Sequence, residues 1–241
     1  MNATMNATTL PERLTAYLPV LLHGAGYTVL VSLVAILSGF FLGAALLGMS
    51  QTRGGRGVLP GLVALYVSFF RGTPLLVQLL MMFYLPSAAG MDLPPLWVAM
   101  LAMGLNSAAF QCEILRAGLA AVPAGQVEAA LSFGIAPRHV FHYVQLPQLA
   151  RAVWPAVVSE AIDVVKNSAI VSVIAVSDLA RGARQIVAGN YRPLEVYMTT
   201  GLSYLVMTAL IFALGSWIGA RLRTGRRASA GVTTRVAINK T

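Results

Sequence analysis

Five stretches of this sequence stay apolar long enough to cross a bilayer: Tyr27–Met49, Leu59–Phe83, Leu96–Arg116, Ala152–Val176 and Tyr197–Ala220. A hydrocarbon core takes about 20 apolar residues of helix. Within it, a helix satisfies its own backbone groups. Charge agrees with this reading: 10% of residues are charged, against about 25% in a soluble domain. Too little polar surface remains to coat a water-soluble globule. The expected fold class is therefore an all-α integral membrane protein with five transmembrane helices. Its single membrane domain spans residues 21–222, after an N-terminal external segment (1–20) and before a basic tail (223–241).

The net charge of +9 does not point to nucleic acid. Six of the 17 basic residues follow the last apolar run: Arg221, Arg223, Arg226, Arg227, Arg235 and Lys240. That pattern suits a cytoplasmic anchor. With the C-terminus inside, five spans put the N-terminus outside. The inner segments then also hold Arg53, Arg56, Arg116, Arg138 and Arg151, whereas the outer ones hold Arg13, Arg181, Arg184 and Arg192. This bias follows the positive-inside rule. It also makes the segment 117–151 cytoplasmic. The N-terminus has no basic n-region ahead of an apolar stretch, so no cleavable signal peptide is expected. Cys112, the only cysteine, rules out an internal disulfide or a cysteine-based metal site. His139 and His142 lack the further ligands that a metal needs, so no metal site is expected.

The fourth run carries Glu160, Asp163 and Lys166, three residues apart along one helical stripe. Three charges near mid-membrane cost roughly 7–10 kcal/mol, and a dozen apolar neighbours return only about 6 kcal/mol. The stripe must therefore face protein or water rather than lipid. The second run adds Arg71, just before Gly72-Thr73-Pro74, a sequence that loosens a helix. Two readings follow. Asp163 can neutralise Lys166, with Glu160 paired to Arg71 or to a second subunit. Alternatively, Arg71, Glu160, Asp163 and Lys166 line a path for a small zwitterion, the acids meeting its cationic group and Arg71 its carboxylate. Glu113 is expected to be structural, paired with Arg116. Gly39/Gly43 and Gly215/Gly219 form small-xxx-small faces that permit close helix contact and lend unspecific support to dimerisation.

One segment reads as water-adapted: EAALSFGIAPRHVFHYVQLP, Glu128–Pro147. Pro123 suits a first helical position, Gly134 a C-terminal stop, and Pro137 opens a second short helix that Leu146-Pro147 ends. A narrow helix with small residues and a glycine exit fits a groove on another protein, or lies on the membrane surface. The spacing of Glu128-Ala129-Ala130, Gly134, Val144, Leu146 and Pro147 resembles the EAA loop of binding-protein-dependent ABC importer permeases, although Val144 stands where isoleucine is usual. FRGTPLLVQL (70–79), EILRAGLAAVPAGQVEAA (113–130) and KNSAIVSVIAVSDL (166–179) are similar to the polar amino acid branch of that family. The resemblance implies an ABC type I importer permease fold. It assigns ATPase coupling to Glu128, Ala129, Ala130, Gly134, Leu146 and Pro147. The implied partners are ABC ATPase subunits that bind ATP and Mg, a second permease subunit, and an external solute-binding protein docking near residues 85–95 and 178–193.

The sequence has no G-x-x-x-x-G-K-[ST] phosphate loop, H-E-x-x-H zinc motif or G-x-S-x-G elbow. No catalysis or bound cofactor is expected of this chain. Active transport would draw on a partner's ATP hydrolysis. Two other classes remain open: an ion-coupled transporter or channel using Glu160 and Asp163, and a purely structural membrane subunit.

Overall fold

The computed structural model describes residues 9–51 and 57–224. Arg53, Arg56 and the tail from residue 225 onward lie outside the described residues. Among those described there are nine α-helices and no strand: α1 (Leu10–Ser50), α2 (Val58–Gly72), α3 (Leu75–Ala88), α4 (Pro95–Ala120), α5 (Ala124–Ser132), α6 (Pro137–Val140), α7 (Leu146–Asn167), α8 (Leu179–Asn190) and α9 (Pro193–Thr224). A π-helical turn (Phe141–Gln145) leads into α7, and a 3-10 turn (Ser168–Ile174) follows it.

Among the described residues, α1, α4 and α9 are each long and apolar enough to cross a membrane, and the pair α2–α3 makes a fourth if it is one span. The run expected over Leu59–Phe83, loosened at Gly72-Thr73-Pro74, is bent there by 107°. The expected run Ala152–Val176 is also divided. Its α-helix stops at Asn167, and the 3-10 turn ends at Ala175 in the left-handed region (φ 69°). The chain forms two compact units, Met1–Glu113 with Glu160–Ala209, and Ile114–Ser159 with Leu210–Thr241.

In the first unit, α1 runs 41 residues, about 62 Å at 1.5 Å per residue, twice the thickness of a bilayer core. Leu10–Val20, expected within an external segment (1–20), thus belong to this helix. Its start is coded locally: the Thr9 N–H donates to Glu12 Oε2 at 3.2 Å, as in the Thr-x-x-Glu capping signature. Tyr17, Leu21, Thr28, Val31 and Ala35 form one buried stripe at helical spacing. Its first half packs on α8, with Leu179, Ala183 and Ile186. The expected outer loop 178–193 is therefore mostly helix. Gly24 permits the approach, since a Cβ there would lie 2.8 Å from the Asp178 carbonyl oxygen.

Asp178 caps α8, accepting from the N–H groups of Arg181 (3.0 Å) and Ala180 (3.2 Å) while fully buried. Burial pushes its carboxyl above the ordinary value, against the pull of those N–H donors and of Arg184. The raised value means that stability is lost as pH rises through the group's range, because burial outweighs the N–H donors and Arg184, which favour the ionised form. Asp178→Asn keeps one of the two acceptor oxygens and sets its NH2 against the other N–H, so it is expected to lose about half of what Asp178→Ala loses. Asp178→Ala leaves two N–H groups bare and is expected to lose about 1–2 kcal/mol in thermal unfolding in detergent.

The small-residue faces are occupied within the chain. A Cβ on Gly39 would sit 2.8 Å from Ser107 Cβ, and one on Gly43 2.7 Å from Gln111 Cβ, so α1 lies directly on α4. In the second unit, Gly215 and Gly219 face Val158 and Trp154 of α7, and Trp154 Nε1 donates to the Gly215 carbonyl at 2.7 Å.

Candidate functional site

The hairpin of the second unit is built as a presented tip. Pro123 is the cap before α5 (φ −61°, ψ 123°), one position earlier than expected, and α5 runs Ala124–Ser132. Gly134 sits at φ +77°, in the left-handed region that favours glycine. Its N–H donates to the Leu131 carbonyl at 2.9 Å, and the Ile135 N–H reaches back to Ala130 at 3.2 Å. Those two bonds make a Schellman stop. Ala130 and Val140 are buried, whereas every residue from Leu131 to His139 is exposed. Phe133 is 86% and Tyr143 78% exposed. Glu128, Ala129, Gly134, Leu146 and Pro147 are exposed as well.

Leu146-Pro147 does not end the second helix as expected. The chain continues helically from Pro137 through Pro147 into α7. Pro147 lacks an N–H and would crowd the carbonyl four residues back. The π-turn just before it, where the Leu146 N–H bonds to the Phe141 carbonyl, loosens the spiral enough to admit the ring. Gln148 Nε2 ties the base of the hairpin to Gln126 Oε1 at 2.8 Å.

The first unit contains a cavity of about 290 Å³ lined by Leu75, Met103, Asn106, Phe110, Glu160, Asp163, Val164 and Asn167. Glu160 accepts from Ser107 Oγ at 2.9 Å. Asp163 pairs with Lys166 at 2.6 Å. Arg71 pairs with Glu113 at 3.6 Å and lies 5.5 Å from the Phe110 ring centre. Within the chain Glu160 therefore meets a serine rather than Arg71, one of the two partners expected for it, and Glu113 has Arg71 as a partner. The last turn of α2 carries Arg71 to the face of α4 that bears Phe110 and Glu113. Of the four proposed pathway residues, Glu160 and Asp163 line the cavity; Arg71 and Lys166 do not. Lys166 offsets one of the two carboxylates and Glu113 offsets Arg71, so among the described residues Glu160 is left without a cationic partner on the polar wall.

Residues 35–224 match the family described as binding-protein-dependent transport system inner membrane component. The chain belongs to this family. It is the permease subunit of a binding-protein-dependent importer, a multi-pass component of the inner membrane. The permease is 34% identical over 225 residues to the arginine transport system permease protein ArtQ of Bacillus subtilis, covering 93% of this chain and 99% of that one. It is 37% identical over 164 residues to the octopine transport system permease protein OccM of Rhizobium meliloti, covering 63% and 67%. A solved amino acid ABC transporter with histidines superposes with a TM-score of 0.82 at 34% identity, covering 90% of the permease and all of that chain. The permease thus has the fold of that transporter's membrane chain.

Sequence reasoning passed over Asn106, Phe110, Ser107 and Asn167, which complete the cavity wall or hold Glu160. A signal was available. Asn106 and Glu113 stand at i and i+7 on one face inside an apolar run, with Phe110 between them, and polar residues so placed in a membrane call for partners.

Proposed function

We propose that the permease forms the translocation path for polar amino acids, with preference for a cationic side chain, in an ATP-driven importer that works by alternating access. Glu160 on the cavity wall, without a cationic partner among the described residues, carries this reading. An ammonium or guanidinium group would meet Glu160 and Asp163, with the Phe110 ring offering a cation–π face. The cavity volume lies at the small end of ligand pockets, fit for a solute of amino acid size. The names of the arginine and octopine relatives support the same chemistry. Arg71 and Lys166 act in this reading as counter-charges beside the path.

The topology proposed with it is five crossings, N-terminus outside and C-terminus inside. These are α1, the bent α2–α3 pair, α4, α7 with its 3-10 turn, and α9. Support comes from the basic residues of the inner segments, and from an exposed apolar tip (Leu131, Phe133, Ile135) that suits a protein groove. In this reading Glu128, Ala129, Ala130, Gly134, Leu146 and Pro147 shape the contact with an ABC ATPase, which binds the ATP and Mg. Two permease subunits pair with two ATPases, and an external binding protein delivers the solute. A ligand shifts such an equilibrium only by binding its two states unequally. The hairpin is where the ATPase would apply that bias.

The test is uptake into proteoliposomes holding the permease with its ATPase and binding protein. Glu160→Gln should lower kcat/KM for arginine relative to glutamine by about 10–100-fold, the worth of one charge-assisted contact. An unchanged ratio would remove the cavity from the path. Substrate flux through the purified chain alone would favour an ion-coupled carrier instead.

A further inference from the structure

The break between α2 and α3 strips two carbonyls of their helical donors. Pro74 has no N–H, so the Phe70 carbonyl four residues back has nothing to receive. Thr73 is extended (φ −118°, ψ 147°), and the Val77 N–H bonds to Pro74 instead. Buried carbonyls require partners, and one buried side chain supplies both. Gln78, 2% exposed, donates through Nε2 to the Phe70 carbonyl (2.9 Å), the Thr73 carbonyl (3.0 Å) and Thr73 Oγ1 (2.7 Å). Asn106 of α4 donates to the same Phe70 carbonyl at 3.1 Å and to Gln78 Oε1 at 3.0 Å.

These partners fix both amides. A carbonyl only accepts, so the Gln78 nitrogen must face Phe70 and Thr73, and its oxygen must face Asn106. Asn106 must then present its nitrogen to two acceptors. Its Oδ1 meets no protein donor among the described residues, and Asn106 lines the cavity of Glu160 and Asp163. Gln78 itself does not line that cavity.

We propose that Gln78 is a positioning residue for solute selection: through Asn106 it holds a side-chain carbonyl oxygen ready as a third acceptor in the cavity, favouring solutes whose cationic end brings several N–H donors. This rests on the reading of the cavity as the solute site. Without Gln78, only the Phe70 carbonyl still holds the Asn106 nitrogen, so the amide turns over more readily to meet a cation with N–H groups. The break in the α2–α3 span and the selectivity of the cavity are thereby linked through one pair of amides.

The experiment is equilibrium binding of arginine and of glutamine to the purified, assembled transporter in detergent, read as the ratio of the two Kd values. Gln78→Met, unbranched and apolar, should cut the preference for arginine about ten-fold, the scale of one buried hydrogen bond. Adding Asn106→Asp should restore it, because a carboxylate presents oxygen whichever way it turns. In an Asn106→Leu background, Gln78→Met should change nothing further. A residue that only supports the fold would weaken both ligands alike and leave the ratio unmoved; that result overturns the proposal. Should Gln78→Met fail to accumulate, Asn106→Leu against Asn106→Asp decides, and an equal loss in both overturns it. Glu160→Gln in parallel separates the two claims. A ratio that moves there but not in Gln78→Met sinks the positioning role alone, and one that moves in neither sinks the cavity reading as well.

Discussion

Gly134→Asp should abolish coupled uptake, by about 30-fold or more, while the permease still accumulates and melts near the wild-type temperature. The reason lies in where the added side chain points. Within the chain a Cβ at this position meets nothing within 4 Å, so the fold has no internal clash to resolve. The φ of +77° adds backbone strain, which for Asp or Asn is small, of order 1 kcal/mol, because these residues tolerate the left-handed region best. Any larger effect must come from outside the chain, at the surface the hairpin offers. Loss of a central contact in a docked interface costs about 2–4 kcal/mol, which converts to about 30–1000-fold. Gly134→Asn is the control for charge and should fail similarly, while Gly125→Asn, also open within the chain and nearer the base, should be milder. ATP hydrolysis that continues without uptake would mark uncoupling. Normal uptake by Gly134→Asp would remove the docking role.

How far the sequence could be read depended on whether the governing interaction was local. The Gly134 stop was legible because a glycine between a short helix and Pro137 allows few alternatives. The small scale of the hairpin helped too, since the bonds of its stop link residues three and five apart. The reach of α1 to Leu10 was missed for the opposite reason. Pro11 and Pro19 look like punctuation, yet the burial that stabilises the extension comes from Leu179, Ala183 and Ile186, far along the chain. A local signal, Thr9 with Glu12, is present, but hydropathy alone set the expected start. The charged stripe of α7 was expected to avoid lipid, but its partners could not be chosen. Arg71 could reach Glu160 or Glu113 on charge alone, and the 107° bend before α3 settles which. The π-turn ahead of Pro147 was unreadable locally, because a proline after Leu146 more often stops a helix than continues through a widened turn.

Gly43→Leu should leave little folded permease, with accumulation falling about ten-fold or more. A Cβ at Gly43 would stand 2.7 Å from Gln111 Cβ and 2.9 Å from both the Ala108 carbonyl oxygen and the Cys112 nitrogen. Two of those three atoms are backbone and cannot swing aside, so α1 and α4 must separate. Overpacking a core by a few methylenes costs about 1–3 kcal/mol, a large share of the roughly 5–15 kcal/mol that holds a domain folded. In a bilayer the effect should be sharper. Lipid tails are as apolar as leucine, so close packing rather than the hydrophobic effect holds two helices together. Gly48→Leu, on the same helix with nothing within 4 Å, should accumulate normally. The pair also tests where the proposed second subunit would sit. If Gly39 and Gly43 belonged to a subunit interface, Gly43→Leu would yield a folded chain with its dimer lost. If they belong to the α1–α4 crossing, the chain itself fails, and the surface that meets another permease subunit must be sought elsewhere.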